Sequence, residues 1–198
     1  MTTLLIATHN RWKAKLFASI FNGYGFKALS LLDIETNQPP PDECGRSVVE
    51  NALIKARHYH SAQFPWVFGD DTGLEIDALQ GEPGVQTRRW AGRFPTDVDD
   101  QTWLSYLLDR MQAVPLAART ACFVDGWALL DPHNNEFTRE TRAPFQIATQ
   151  AVRPCVPGSP IMAVALGIPE NPLQILQAAQ AHWQDWGILE KLLKEKPN

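Results

Sequence analysis

The first apolar run, Leu4-Leu5-Ile6-Ala7, is short and unbroken, the pattern of a buried strand, and it stops at Thr8-His9-Asn10. The spacing then changes. Leu16, Phe17 and Ile20 fall on one side of the stretch Lys13 to Ile20, which predicts a helix that Asn22-Gly23-Tyr24-Gly25 brings to an end. Lys27 to Leu32 is expected to form a second strand, and Asn37 to Gly45, with its run of prolines from Pro39, a loop. Ser47 caps a second helix, and Glu50 three residues on gives capping-box spacing. Val48, Val49, Ala52, Leu53 and Ala56 share one face of that helix, leaving Glu50, Asn51 and Arg57 on the other.

Trp66-Val67-Phe68 reads as a strand ended by Gly69-Asp70-Asp71-Thr72-Gly73. Leu74, Ile76 and Ala78 then alternate with Glu75 and Asp77, as in a separate, half-exposed strand. Gly81 to Gly84 is a turn, Asp97 to Met111 a helix, and Ala121 to Leu130 a central strand closed by Asp131-Pro132. A proline-rich remainder leads to a last helix over Leu173 to Lys194. Strands alternating with helices indicate an α/β fold.

Composition narrows the class. In 198 residues, 44% are hydrophobic and 20% charged, which excludes wholesale disorder. Eighteen basic residues against 22 acidic give a net charge of -4, without the basic stripe expected of a nucleic-acid binder. The opening residues have no basic segment of a secretion signal, and the longest later apolar stretch, Ile161 to Ile168, is far too short to span a bilayer. Cys44, Cys122 and Cys155 are scattered, without a CxxC pair, so neither a disulfide framework nor a zinc site is expected. A cytoplasmic protein with no nucleic-acid or membrane partner fits these features.

Several polar clusters could carry chemistry. A strand entering a helix through Thr8-His9-Asn10-Arg11-Trp12-Lys13 offers backbone N–H groups, a hydroxyl, an amide and an ammonium to a phosphate, although a plain capped helix reads the same way. Asp70 and Asp71 are adjacent on a strand, so they point to opposite faces and only one enters a given cleft. Such carboxylates suit Mg²⁺ and an attacking water, or simply a turn. Glu50 and Lys55 lie along the second helix. Arg88 and Arg89 in a glycine-flanked loop could clamp phosphates or be solvated. His58 and His60 diverge on a helix and make a poor metal pair, and Cys122 reads as core packing.

Order and spacing add what the clusters lack singly. Ala7-Thr8-His9-Asn10 with Lys13, Glu50-Asn51-Ala52 with Lys55, Gly69 through Leu79, and Gly81-x-Pro83-Gly84-Val85 with Arg88-Arg89-Trp90-Ala91-Gly92 closely resemble the inosine/xanthosine triphosphate pyrophosphatase family. The resemblance is dense over residues 4 to 92 and thinner through Phe123 to Pro132. It implies an α/β fold with a mixed central sheet, flanking helices and two lobes around a nucleotide cleft, the whole of 1–198 being one domain. It implies hydrolysis of a nucleoside triphosphate to the monophosphate and pyrophosphate with Mg²⁺, usually by a homodimer.

Carried over by position, Thr8, Asn10 and Lys13 match the phosphate-binding turn, Lys55 a phosphate-facing lysine and Glu50 the metal-associated carboxylate. Asp71 matches the general base and metal-linked aspartate, Thr72 stands for the usual serine, and Arg89 matches the loop arginine. The second half departs from the pattern. The family's Gly-Phe-Gly-Tyr-Asp-Pro segment is missing, and the corresponding region reads Ala151 to Pro160. Its Ser-His-Arg-Gly aligns with Gln184-Asp185-Trp186-Gly187. The implied reading is therefore a pyrophosphatase with altered base choice. The alternative is a catalytically impaired member that holds a nucleotide as a sensor or structural partner. Trp183 and Trp186 could stack a base, and Arg142 and Arg153 could replace lost phosphate contacts.

Overall fold

A computed structural model describes residues 1–169 and, beyond them, 174, 177, 178, 181, 184, 187 and 188. The expected last helix falls largely outside the described residues, as do Trp183, Asp185 and Trp186. The elements are β1 (Thr2–Ile6), α1 (Arg11–Gly23), β2 (Phe26–Ser30), α2 (Val48–Tyr59), β3 (Val67–Ile76), β4 (Pro83–Gly84), α3 (Asp100–Arg110), β5 (Thr120–Leu130), β6 (Glu136–Ile147) and β7 (Ala165–Leu166). Strands hydrogen-bond in the order β2-β1-β3-β5-β6-β7, with β4 on β3. β1 is parallel to β2 and β3, while β4 and β7 run antiparallel to their partners. This is the α/β fold that the alternation predicts, with the mixed sheet and flanking helices that the resemblance implies.

The chain divides into two compact units, one containing 1–71 and 125–141, the other 72–124 and 142–168. In the first, strand alternation sorts the apolar residues onto two faces. Leu4, Ile6, Phe68, Trp127 and Leu129 pack with Phe17, Ile20 and Phe21 of α1. Leu5, Ala7, Val67, Ala128 and Leu130 pack with Ala52, Ala56 and Tyr59 of α2. Two glycines bring α2 unusually close: a Cβ on Gly69 would lie 2.1 Å from the Ala52 carbonyl, and one on Gly126 2.3 Å from the Val48 carbonyl carbon. The core of the second unit gathers Leu74, Ile76, Trp103, Leu107, Met111, Ile147 and Val164.

Two expectations are corrected. The segments around Asp70-Asp71 are not two strands with a turn between them. β3 is one ten-residue strand from Val67 to Ile76, and Gly69-Asp70-Asp71-Thr72-Gly73 runs extended through it. β1 pairs with the start of β3, β4 with its end, and β5 is its other neighbour in the sheet, and this pairing outweighs the local turn preference of Gly and Asp. The proline-rich remainder also contains a twelve-residue strand, β6. In its polar first half, Glu136-Phe137-Thr138-Arg139-Glu140-Thr141, exposed positions alternate with more buried ones, but the inward side carries Arg139 and Thr141, so no apolar periodicity marks it in the sequence. The Asp131 carboxylate builds the turn that leads into it, accepting from the N–H groups of His133 (2.8 Å) and Asn135 (2.9 Å).

Candidate functional site

Lys13 lies on α1, Lys55 and Asn51 on α2, and the sheet presents one carboxylate to each helix. Asp70 points to the α1 face, where its Oδ2 accepts from Lys13 Nζ at 2.5 Å. Asp71 points to the α2 face, where Oδ1 accepts from Lys55 Nζ at 2.8 Å and Oδ2 from the Asn51 amide at 2.9 Å. Alternation along a strand is the cause, as the sequence predicts. Asp70 and Asp71 are both buried, and Asp70 Oδ1 is a buried oxygen without a hydrogen-bond partner among the described residues. Burial pulls the Lys13 ammonium toward neutrality, but Asp70 beside it, helped by Asp125 and Asp71, outweighs this and leaves its pKa above the ordinary lysine value. Lys13 is therefore a fixed cation.

The turn into α1 differs from expectation in one respect. Asn10 is the N-cap, and its side-chain oxygen accepts from the N–H groups of Trp12 (2.9 Å) and Lys13 (3.2 Å). Two of the helix-start donors expected to face a phosphate are thus already engaged. What remains is the Asn10 NH₂ group and the Thr8 hydroxyl, whose oxygen accepts from the Asn10 N–H at 3.2 Å and whose hydrogen can still be given.

At the start of α2, Ser47 caps as expected, accepting from the Glu50 N–H at 3.1 Å. The Glu50 carboxylate reaches back to the Arg46 N–H at 2.6 Å, so it closes the helix start one residue earlier than a capping box would. Glu43 is the carboxylate that meets Lys55, at 3.1 Å, so that one ammonium joins Glu43 and Asp71. Asn51 holds this arrangement together. Its amide oxygen accepts the Gly45 N–H at 2.8 Å while its NH₂ holds Asp71.

Sequence reasoning missed both residues. Glu43 sits in a proline-rich loop without periodicity, and Asn51 was assigned to the polar helix face although it is buried. Two signals point to Asn51: it stands within the Glu50-Asn51-Ala52 motif, and three residues after Val48 it borders the apolar stripe.

Thr72 follows Asp71 on β3 and is half-buried. In the unit that begins there, Arg88 is not available as a phosphate clamp, because it pairs with Asp100 at 2.5 Å and with the Val98 carbonyl. Arg89 is half-buried, and its guanidinium has no hydrogen bond or ion pair among the described residues. Arg142 pairs with Glu75, and Arg153 donates to the Ala165 carbonyl at 2.7 Å. His58 and His60 address different carbonyls, those of Pro39 and of Pro65 and Asp131, and do not converge.

Residues 4–153 match the Ham1 family. A dITP/XTP pyrophosphatase of Oceanobacillus iheyensis is 39% identical over 132 residues, covering 67% of this chain and 66% of that protein. One from Photobacterium profundum is 40% identical over 123 residues, covering 62% of this chain and 60% of that protein. The aligned part of the chain thus spans a little under two thirds of the length of these curated relatives. A solved structure of a nucleoside-triphosphatase / dITP/XTP pyrophosphatase from Mycobacterium abscessus is similar over 93% of this chain and 98% of that one, with a TM-score of 0.69 at 26% identity. The family match runs past both aspartates, both lysines and the arginine loop, and this chain belongs to the Ham1 family.

Proposed function

We propose that the chain hydrolyses nucleoside triphosphates to a nucleoside monophosphate and pyrophosphate, on purine nucleotides with modified bases among others. The observation that carries this reading is the pair of opposed anchors on β3: Asp71 fixed by Asn51 and Lys55, beside Asp70 fixed by Lys13. A triphosphate needs fixed cations, and its hydrolysis needs a carboxylate held in one orientation toward a water.

In this reading the water oxygen bonds to the α-phosphorus while the bond from that phosphorus to the α–β bridging oxygen breaks. Pyrophosphate leaves with the electron pair. Asp71 accepts the proton of the attacking water, and Asn51 and Lys55 keep its carboxylate aimed. Lys13, held beside Asp70, presents its positive charge to phosphate oxygens, joined by Thr8 and Asn10. By the family resemblance, Arg89, whose guanidinium has no partner among the described residues, and the Thr72 hydroxyl add further phosphate contacts.

The donor set fits Mg²⁺. Among the described residues no three His, Cys, Asp or Glu side chains form a ready-made metal cage. Mg²⁺ does not require one, being held commonly by one or two carboxylates plus substrate phosphates. Asp71 and Glu50 are the residues that would hold it, since the Arg46 N–H engages Glu50 through Oε2 alone among the described residues, and Glu43 stands beside them on Lys55. When bound, the ion would neutralise phosphate charge and polarise the P–O bonds.

The test is pyrophosphate release measured across standard and modified nucleoside triphosphates. Release from at least one of them supports the reading. No release from any, with Mg²⁺ or Mn²⁺ supplied, overturns it, and nucleotide-dependent thermal stabilisation in that case would mark a binding protein instead. A homodimer, implied by the family resemblance, is tested by sedimentation at micromolar concentration, where a monomer overturns it.

A further inference from the structure

The loop that carries Arg89 is held by an arrangement that its fold alone does not require. Trp90 and Ala91 both have left-handed backbones, with φ of 47° and 52°. Side chains other than glycine adopt that region at a cost, and successive residues in it are kept only where the surroundings over-determine them. Here they do. Trp90 is buried, its ring centroid 5.2 Å from that of Trp103 and 4.9 Å from that of Tyr106, edge-on to the latter. Its indole N–H donates to Glu82 Oε2 at 3.0 Å, an oxygen that also accepts from Arg110 at 2.9 Å.

The residue before Arg89 is anchored too, by the ion pair of Arg88 with Asp100. The turn closes on the Arg89 carbonyl, which accepts the N–H groups of Gly92 (3.1 Å) and Phe94 (2.9 Å). Both neighbours of Arg89 are fastened and its own backbone is fastened, while its guanidinium has no partner among the described residues.

We propose that Trp90 is a positioning residue for Arg89: locked by Glu82, Trp103 and Tyr106, it maintains the left-handed turn that presents the Arg89 guanidinium to an oligophosphate. The inference rests on the phosphate-binding role given to Arg89 above. Losing the lock lets the turn relax to ordinary backbone conformations, so the guanidinium samples many directions and binds phosphate less tightly.

The experiment is a double-mutant cycle read by the affinity of the full chain for inorganic tripolyphosphate, measured calorimetrically with Mg²⁺ present, alongside pyrophosphate release from nucleotide. Trp90→Phe keeps a buried ring and removes the indole N–H. Glu82→Ala, at a position 46% exposed, removes the acceptor without opening the core. Arg89→Ala removes the group being positioned. Arg89→Ala is expected to weaken tripolyphosphate about tenfold or more, and each locking variant about three- to tenfold. In the Arg89→Ala background the locking variants should cost less than about twofold further.

Equal losses in both backgrounds would show that Trp90 acts on general structure and overturn the proposal. So would Arg89→Ala binding as tightly as wild type, or locking variants that bind as tightly as wild type. If wild type releases no pyrophosphate yet the cycle shows this coupling, the hydrolytic reading fails and the positioning role stands.

Discussion

Asp71 has both carboxylate oxygens occupied by α2, so its direction is set before any substrate arrives. Asp71→Asn preserves size but removes the proton acceptor, and should lower turnover by about 10²–10⁴-fold or more, with the fold retained at reduced stability because Glu43 still neutralises Lys55. Pyrophosphate release and circular dichroism together check this, and near wild-type turnover would remove Asp71 from the role. Asp70 behaves differently. Removing one member of a buried ion pair costs about 3–5 kcal/mol, and Lys13, itself about a fifth exposed, places this pair near the lower end. Asp70→Asn should therefore show first as lost stability in urea unfolding. The pair also has a pH signature. Because the Lys13 pKa is raised in the folded state, its contribution is fully present below the ordinary lysine value of about 10.4 and is lost as pH rises through the raised value. Lys13→Met should be less stable than wild type at neutral pH, with the gap narrowing in alkali. A gap constant to pH 12 would contradict the assignment.

At the scale of elements, α2 decides where the chemistry sits, and two glycines decide where α2 sits. Gly69 and Gly126 let the helix backbone rest directly on β3 and β5, which sets Asn51 and Lys55 against Asp71. Alanine at either position would drive a methyl group into the α2 backbone and cost at least about 1–3 kcal/mol. Gly69→Ala should also lower turnover more than its stability loss explains, since Asn51 and Lys55 ride on the displaced helix. Unfolding and kinetics measured on the same preparation would check this, and wild-type kcat would speak against it.

The helices themselves were legible in the sequence because their apolar stripes and caps are local: Ser47 caps α2 as read. The single strand β3 was not, because its Gly-Asp-Asp-Thr-Gly core has turn chemistry that only its neighbours in the sheet override. Nor was Glu43, whose place depends on a hydrogen bond from Gly45 to Asn51 rather than on any spacing. Asp70 and Asp71 sit on opposite faces as the alternation rule requires, yet only the packed structure says which helix each one meets.

For the molecule as a whole, neither net charge nor site charge draws anions from a distance. The chain carries -4, and the cations proposed to meet the triphosphate, Lys13, Lys55 and Arg89, are balanced by Asp70, Asp71 and Glu43. Attraction is then short-ranged and comes from contacts rather than from a field that gathers anions at a distance. Between 50 and 300 mM salt, kcat/KM for a triphosphate should fall by less than about tenfold, whereas proteins that make many phosphate contacts on nucleic acids lose about 10³–10⁵ over a comparable range. A steep salt dependence would point to a basic surface that the composition does not suggest. No helix among the described residues is long and apolar enough to cross a membrane.

The opposed aspartates have one more consequence. β3 lies beside β1 with Leu5 opposite Val67 and Ile6 opposite Phe68. A slip of a single residue would turn every side chain of the strand over, sending Asp71 toward Lys13 and Asp70 toward Lys55. Such a molecule would keep its composition, its charge and nearly all its secondary structure, and it would be inert. Specific activity after refolding therefore serves as a proofreading signal, counting the fraction of chains whose central strand has found its register, which circular dichroism alone would not distinguish.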